Sequence, residues 1–154
     1  MLTFGKGETL AKEQEACLEQ AEDIRRPVIL PSEHGRVYDM GRMKAVFKAD
    51  GEETARRYSI SEWWLDPRTR GPGPHVHSDD HIFYVIEGTL SLMIDGRWSD
   101  LAAGGYALIP GGTQHDFANR AEVRSGFISL NTPGGFEEKM AGIAPALAAE
   151  DLRL

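Results

Sequence analysis

The chain lacks the features of a disulfide-stabilised, membrane-spanning or nucleic-acid-binding protein. Its 154 residues include one cysteine, which excludes an intrachain disulfide and fits a reducing compartment. No apolar run approaches the roughly 20 residues of a membrane helix, and the first residues lack a signal peptide's basic-then-apolar pattern. Acidic residues outnumber basic ones by 24 to 17, with no basic block, which argues against nucleic acid or anionic membranes as partners. We therefore expect a cytoplasmic protein.

The composition that remains is typical of one globular domain. Hydrophobic residues make up 41% of the chain, and there are 17 glycines. Residues 1–27 are rich in Glu, Ala, Lys and Gln, which predicts an N-terminal arm or short helix; a frayed terminus is the alternative. Residues 28–133 have the texture of a β-barrel, and residues 134–154 are expected to form a C-terminal helix and tail.

Short apolar runs in residues 28–133 are interrupted by Gly, Pro or Asp roughly every 8–12 residues, a rhythm typical of an all-β sandwich or barrel. Thr89–Ile94 alternates between apolar and polar residues, and Asp95-Gly96 after it predicts a tight hairpin turn. Ile82–Ile86 is apolar at both parities, so we expect this strand to be covered on both faces. The other predicted strands are Ala45–Lys48, Arg57–Leu65, Tyr106–Ile109, His115–Ala118 and Val123–Asn131.

The C-terminal segment carries an amphipathic pattern. Phe136, Met140 and Ile143 recur at helical spacing with charged residues between them. We expect this helix to pack one apolar stripe onto the outside of the barrel, without a role in chemistry.

Four of the five histidines are placed to meet. His75 and His77 are two residues apart, so on a strand both side chains leave the same face. Residues 78–80 read as a turn, after which His81 begins the next strand and faces the first two. His115 follows another turn that would direct its strand back to the same place. His34 has no motif around it and is interpreted as a structural residue.

These histidines lie in two motifs that resemble those of the cupin superfamily. The first motif comprises His75-Val-His77, His81 and Gly88, and the second comprises Gly104, Pro110, Gly112, His115 and Asn119. The resemblance is closest to single-domain quercetin-dioxygenase-like cupins. It implies a double-stranded β-helix, a small jelly-roll barrel, with one metal ion inside. His75, His77 and His115 match the family's ligand positions.

Position 81 departs from the family pattern, which usually has glutamate there. We expect His81 to be a fourth ligand, because imidazole also binds transition metals; a hydrogen-bonding role outside the ligand set is the alternative. Four neutral imidazoles leave a divalent ion with a site charge of about +2 instead of about +1, which favours an anionic ligand. The expected cofactor is one divalent transition metal ion: Zn, Fe, Ni, Mn or Cu.

The pocket around this site is expected to be apolar. Phe83 and Val85 share the parity of His81, Phe117 shares that of His115, and one of the adjacent Trp63 and Trp64 must face inward. The candidate proton acceptors are Asp79, Asp80 and Glu62, for which turn formation and solvated charge are the alternatives.

Three functions agree with this pattern. The first is a metal-dependent cupin enzyme, a dioxygenase-like oxidoreductase acting on a small enolic or aromatic substrate. The second is a non-oxidative Lewis-acid enzyme: a cyclase, isomerase or lyase. The third is a small-molecule-binding cupin without turnover. In each case the partner is a small molecule, anionic or enolisable, and we expect a homodimer in which residues before about Pro31 pack on the partner subunit.

Overall fold

The computed structural model describes residues 26–154, so the predicted arm, residues 1–27, lies almost entirely outside the described residues. The described part forms ten strands and two short helices. The strands are β1 (Arg36–Asp39), β2 (Met43–Ala49), β3 (Ser59–Leu65), β4 (Thr69–Arg70), β5 (Asp80–Glu87), β6 (Thr89–Ile94), β7 (Arg97–Ala102), β8 (Tyr106–Ile109), β9 (His115–Asn119) and β10 (Ser125–Thr132). The helices are α1 (Gly51–Thr54) and α2 (Met140–Ala148), and a 3-10 turn (Phe136–Lys139) precedes α2.

The strands form two antiparallel sheets. The larger has the order β1-β2-β3-β10-β5-β8, and the smaller has the order β4-β9-β6-β7. β10, late in the chain, pairs with both β3 and β5, so the larger sheet is closed by long-range contacts. This arrangement confirms the predicted all-β jelly-roll barrel.

Aromatic side chains fill the space between the sheets. Phe83, Phe117 and Phe127 are buried, and Trp63 stacks on Phe127 with ring centroids 6.2 Å apart. The inward parity predicted for Phe83, Val85 and Phe117 is therefore confirmed, and Trp63 is the inward member of its pair.

The outer face of β5 differs from the prediction. Tyr84 and Ile86 are 46% and 37% exposed, and Tyr106 and Leu108 on the neighbouring β8 are also exposed. The expectation that this strand is covered on both faces is wrong for the described residues of a single chain. Apolar residues at alternate positions of a strand indicate a face that prefers burial. They do not show whether another element of the chain covers that face.

The C-terminal segment forms the predicted helix. Met140, Ala144 and Leu147 of α2 are buried against the barrel. Beyond the helix, Leu152 is buried too, and its carbonyl accepts a hydrogen bond from Arg70 N at 2.8 Å. Within residues 26–154 no helix has the length and apolarity that crossing a membrane requires.

Candidate metal centre

Backbone pairing brings the two histidine motifs together. The amides of His75 and His115 each donate to the other residue's carbonyl at 3.0 Å, so the first motif lies alongside the start of β9 although His75 belongs to no regular strand. The approach requires glycine at Gly71, where a Cβ atom would lie 2.0 Å from Phe117 O. Asp116 Oδ1 holds the same loop by accepting from Gly73 N at 3.2 Å.

Three of the histidines are oriented in the same way. In each, Nδ1 hydrogen-bonds a backbone carbonyl two residues away and therefore carries the proton, which leaves the lone pair on Nε2. The three contacts are His75 to Gly73 O at 2.7 Å, His77 to Asp79 O at 3.0 Å and His115 to Thr113 O at 3.0 Å.

The free nitrogens of these three rings converge. One potential ligand atom from each of His75, His77 and His115 lies within 4.8 Å of the other two, and Nε2 of His77 is 3.1 Å from Nε2 of His115. Two ligands bonded to one ion at about 2.0–2.1 Å are themselves about 2.9–3.4 Å apart for bond angles between about 90° and 110°. Lone pairs that face each other at this distance repel unless a cation lies between them. The donor set therefore fits a divalent transition-metal ion.

His81 lies beside this group of three but outside it. Its ring is 4% exposed. Nδ1 is 3.4 Å from His115 Nε2, and Nε2 is 2.6 Å from Ser129 Oγ. The structure thus brings three of the four predicted ligands into one cluster and places His81 next to it, with Nδ1 facing His115 and Nε2 facing β10.

A hydrogen-bond chain behind the cluster is linked to the tautomer of His81. Asp79 Oδ2 can only accept, so the nitrogen of the Asn131 amide faces it, at 2.6 Å, and the amide oxygen faces Ser129 Oγ at 3.4 Å. The single proton of the Ser129 hydroxyl can go to Asn131 Oδ1, so that Ser129 accepts from His81 Nε2, or to His81 Nε2 itself. In the first arrangement His81 carries its proton on Nε2 and the lone pair on Nδ1 faces His115; in the second the proton is on Nδ1.

Burial keeps the imidazoles of His81 and His115 neutral. Desolvation lowers the pKa of His81 well below its usual range, and the nearby His77, His115 and His75 lower it further. Desolvation also lowers the pKa of His115, to about 4. Neutral imidazole is the form that binds metal.

The three predicted proton acceptors lie elsewhere. Asp79 Oδ1 is 3.1 Å from His77 Nδ1, behind the ring. Asp80 Oδ1 accepts from Gly111 N at 2.9 Å, which is the turn role given as its alternative. Glu62 lies 3.3 Å from Lys48 Nζ, on the face of β3 opposite Trp63. None of the three lines the cavity next to the histidines.

Comparison with known proteins agrees with the fold and the motifs. The family described as "Cupin domain" matches residues 61–130, which include all four histidines of the two motifs. The match spans 70 of the 154 residues, so this segment is similar to a cupin domain. No curated protein sequence matches the chain.

Solved structures share the cupin fold at low sequence identity. An RmlC-like cupin from Shewanella frigidimarina is 19% identical, with a TM-score of 0.63 over 74% of this chain and 97% of its own. KdgF from a Halomonas species is 21% identical, with a TM-score of 0.63 over 73% and 98%. The polyketide cyclase RemF from Streptomyces resistomycificus is 20% identical, with a TM-score of 0.62 over 70% and 80%.

The cupin barrel encloses an apolar cavity of about 320 Å³ next to the histidines. His75, His77 and His81 line it, together with the aromatic side chains of the barrel core. The C-terminal segment closes one side through Phe136, Lys139, Ile143, Ala146 and Leu147. The helix thus packs onto the barrel as expected, but its inner face forms part of the cavity, which the sequence analysis did not anticipate.

Sequence reasoning also missed Ser129 and Asn131. Both share the inward parity of Phe127 on β10 and are buried. A polar residue at an inward-facing position is the signal that could have identified them, because buried polar groups require partners.

Proposed function

We propose that the chain is a metal-dependent cupin enzyme that acts on a small, apolar, oxygen-bearing substrate. His75, His77 and His115 would hold one divalent transition-metal ion through Nε2. The observation that carries the proposal is the convergence of the three Nε2 lone pairs, each oriented by a backbone contact on Nδ1.

We also propose His81 as the fourth ligand, through Nδ1. The Ser129–Asn131–Asp79 chain supports this, because Asn131 Oδ1 offers the Ser129 hydroxyl an acceptor and so allows the Nδ1 lone pair to face His115. The 3.4 Å between His81 Nδ1 and His115 Nε2 is close to the spacing of two ligands on a tetrahedral ion.

A divalent ion at this site supplies Lewis-acid polarisation of a carbonyl or enol oxygen. The chain's own residues do the rest. The aromatic wall formed by Trp63, Phe83, Phe117 and Phe127 would bind a flat, conjugated body. α2 excludes bulk water from one side, which strengthens electrostatic interactions inside the cavity.

Of the two enzymatic chemistries, we propose the non-oxidative one: cyclisation, isomerisation or lyase chemistry. The supporting observation is that none of the described side chains that line the cavity is a carboxylate, so a site of neutral ligands retains a charge of about +2 and stabilises an enolate. RemF, which shares the fold, is named as a polyketide cyclase.

A dioxygenase-like oxidoreductase is the second candidate. The enclosed, aromatic-lined cavity favours it, because such a cavity would hold an enolic or aromatic substrate away from water. Both oxygen atoms of dioxygen would enter the substrate, so the reaction would need no external reductant.

The two chemistries are distinguished by metal analysis and by an enolisable probe. We would measure the metal content of protein purified without a histidine tag. With the metal-loaded protein, 2-tetralone, an apolar bicyclic ketone, would be followed by NMR for α-proton exchange in D2O and with an electrode for dioxygen uptake. Zinc and accelerated exchange without dioxygen uptake would support the Lewis-acid enzyme. A redox-active metal with dioxygen uptake would support the oxygenase, and metal binding with neither reaction would favour a binding protein.

The ligand set is tested by substitution. His75→Ala, His77→Ala and His115→Ala should each remove most of the metal without loss of the β-sheet circular dichroism signal, whereas exposed His34→Ala should not. If His81→Ala kept full cobalt affinity and an unchanged cobalt absorption spectrum, His81 would not be a ligand.

We further propose that the protein is a cytoplasmic homodimer. We also propose the division predicted from the sequence, with an arm before residue 28, a barrel at residues 28–133 and a C-terminal segment after residue 133. The exposed apolar face formed by Tyr84, Ile86, Tyr106 and Leu108 supports dimerisation, because a second subunit would bury it. A monomeric mass by light scattering at micromolar concentration would contradict the dimer.

A further inference from the structure

We propose that Lys139 binds an anionic group of the substrate at the rim of the cavity, so that the substrate is an organic anion with an apolar, ring-sized body. This inference rests on the proposed function, since it concerns the same cavity. It adds a polar contact at the solvent-exposed end, whereas the metal would bind at the buried end.

Lys139 lies at the place where such a group would enter. It is solvent-exposed and lines the cavity, while His81 lines the same cavity and is almost fully buried. Phe136, at the other end of the same 3-10 turn, has its ring centroid 6.4 Å from that of His77 and 6.2 Å from that of His81. A 3-10 helix rises about 2 Å per residue, so the Lys139 backbone lies about 6 Å further along the turn. The cavity, of about 320 Å³, has room for one or two fused rings.

The ammonium group of Lys139 is not neutralised by its acidic neighbours. Both oxygens of Glu137 are engaged by backbone amides, Oε1 by Gly51 N at 2.9 Å and Oε2 by Gly135 N at 3.0 Å. Glu138 Oε1 pairs with Arg56 Nη2 at 2.8 Å. Within residues 26–154 no carboxylate pairs with Lys139. The two neighbouring carboxylates that could neutralise the Lys139 ammonium group are therefore engaged by other partners.

The cavity offers no competing anion either. Apart from the histidines, Ser129 and Lys139, the side chains that line it are apolar. Lys139 is thus the sole cationic side chain among the described lining residues, and no lining residue is acidic. An anion held against this wall would meet Lys139 with partial shielding from water, which strengthens the attraction relative to a fully exposed pair.

The test uses two ligands of the same shape. Binding of 2-naphthoate and of neutral 2-naphthamide would be measured with metal-free protein in a chelating buffer, by quenching of Trp63 fluorescence or by calorimetry. The variants are Lys139→Met, Lys139→Arg and Lys44→Met. Lys44 is exposed on β2 and does not line the cavity, so its substitution makes the same change in net charge away from the site.

We expect the wild-type protein to bind naphthoate about fivefold more tightly than naphthamide. Lys139→Met should abolish the preference, while Lys139→Arg and Lys44→Met should keep it. A preference that is unchanged in Lys139→Met, or a cavity that binds neither ligand, would overturn the proposal.

Adding zinc separates this proposal from the proposed function. Zinc should raise naphthoate affinity in the wild type and in Lys139→Met, because the single carboxylate can bind the metal at the buried end in either protein. If zinc changed nothing while the Lys139 effect remained, the metal site would be wrong and the anion site would stand. If zinc raised the affinity for naphthoate and Lys139→Met had no effect, the metal site would stand and the anion site would be wrong.

Discussion

Replacing Asp79 by Asn should weaken metal binding without disturbing the fold. Asp79 lies behind His77, with Oδ1 3.1 Å from Nδ1 and Oδ2 2.6 Å from the Asn131 amide nitrogen. A carboxylate behind a ligating histidine orients the ring and raises its basicity. The substitution preserves the size of the side chain but removes its charge.

The magnitude follows from the geometry. The imidazole ring and a metal–nitrogen bond add about 4 Å to the 3.1 Å contact, so the carboxylate would be about 7 Å from the ion. A unit charge and a divalent ion at that distance attract by about 1.2 kcal/mol in water and about 4.7 kcal/mol at an effective dielectric constant of about 20. The backbone carbonyl of Asp79 still accepts from His77 Nδ1 at 3.0 Å, so the tautomer should survive. We therefore expect a loss between about tenfold and a hundredfold, or about 1.4–2.7 kcal/mol.

The assay is a competition titration of zinc between the protein and a chromophoric chelator at neutral pH. Asp80→Asn is the matched control, because it removes the same charge at the next residue in the chain. The Asp80 side chain contacts Gly111. Equal zinc affinities for Asp79→Asn and the wild type would refute the reasoning. An equal loss in both variants would show that only overall charge matters.

Further predictions concern pH and packing. In metal-free protein, the free energy of unfolding should rise by about 3 kcal/mol from pH about 4 to about 6.5, because burial lowers the pKa of His115 to about 4 and the unfolded chain binds more protons in that window. Urea unfolding at stepped pH should show a shallower slope for His115→Gln but not for exposed His34→Gln; an unchanged slope in the first would contradict the assignment. Gly111→Ala should lower the melting temperature, because a Cβ there would lie 2.1 Å from Ser78 O, at a cost of about 1–3 kcal/mol. Gly142→Ala, in α2 with open space around it, should raise it by the equivalent of about 0.5–1 kcal/mol. A melting temperature of Gly111→Ala that is not below that of the wild type would contradict the first packing prediction, and one of Gly142→Ala that is not above it would contradict the second.

The strands that the sequence predicted are those with an apolar signal. Thr89–Ile94 carries an alternating pattern and is β6 within the same bounds. β7 was missed because nearly all its residues are exposed, so no apolar pattern marks it, and β4 has only two residues. Edge strands of this kind owe their conformation to a neighbour's hydrogen bonds.

The sequence by itself indicated which histidines meet, through local geometry within each motif and through the resemblance of the two motifs to those of cupins. His75 and His77 are two residues apart, the turn after them returns the chain at His81, and the glycine-rich turn before His115 does the same for the second motif. These relationships depend on local dihedral angles and strand parity, which the residue types specify.

Only the tertiary structure decided what surrounds the histidines. Ser129 and Asn131 lie behind His81 because β10 pairs with β5 in the register that sets Asn131 opposite His81 and Ser129 opposite Phe83. A slip by one residue would turn both polar side chains to the other face. The closure of the cavity by α2 and the position of Lys139 at its rim depend likewise on contacts between distant parts of the chain. Such contacts form because the whole fold buries apolar surface, and no local pattern encodes them.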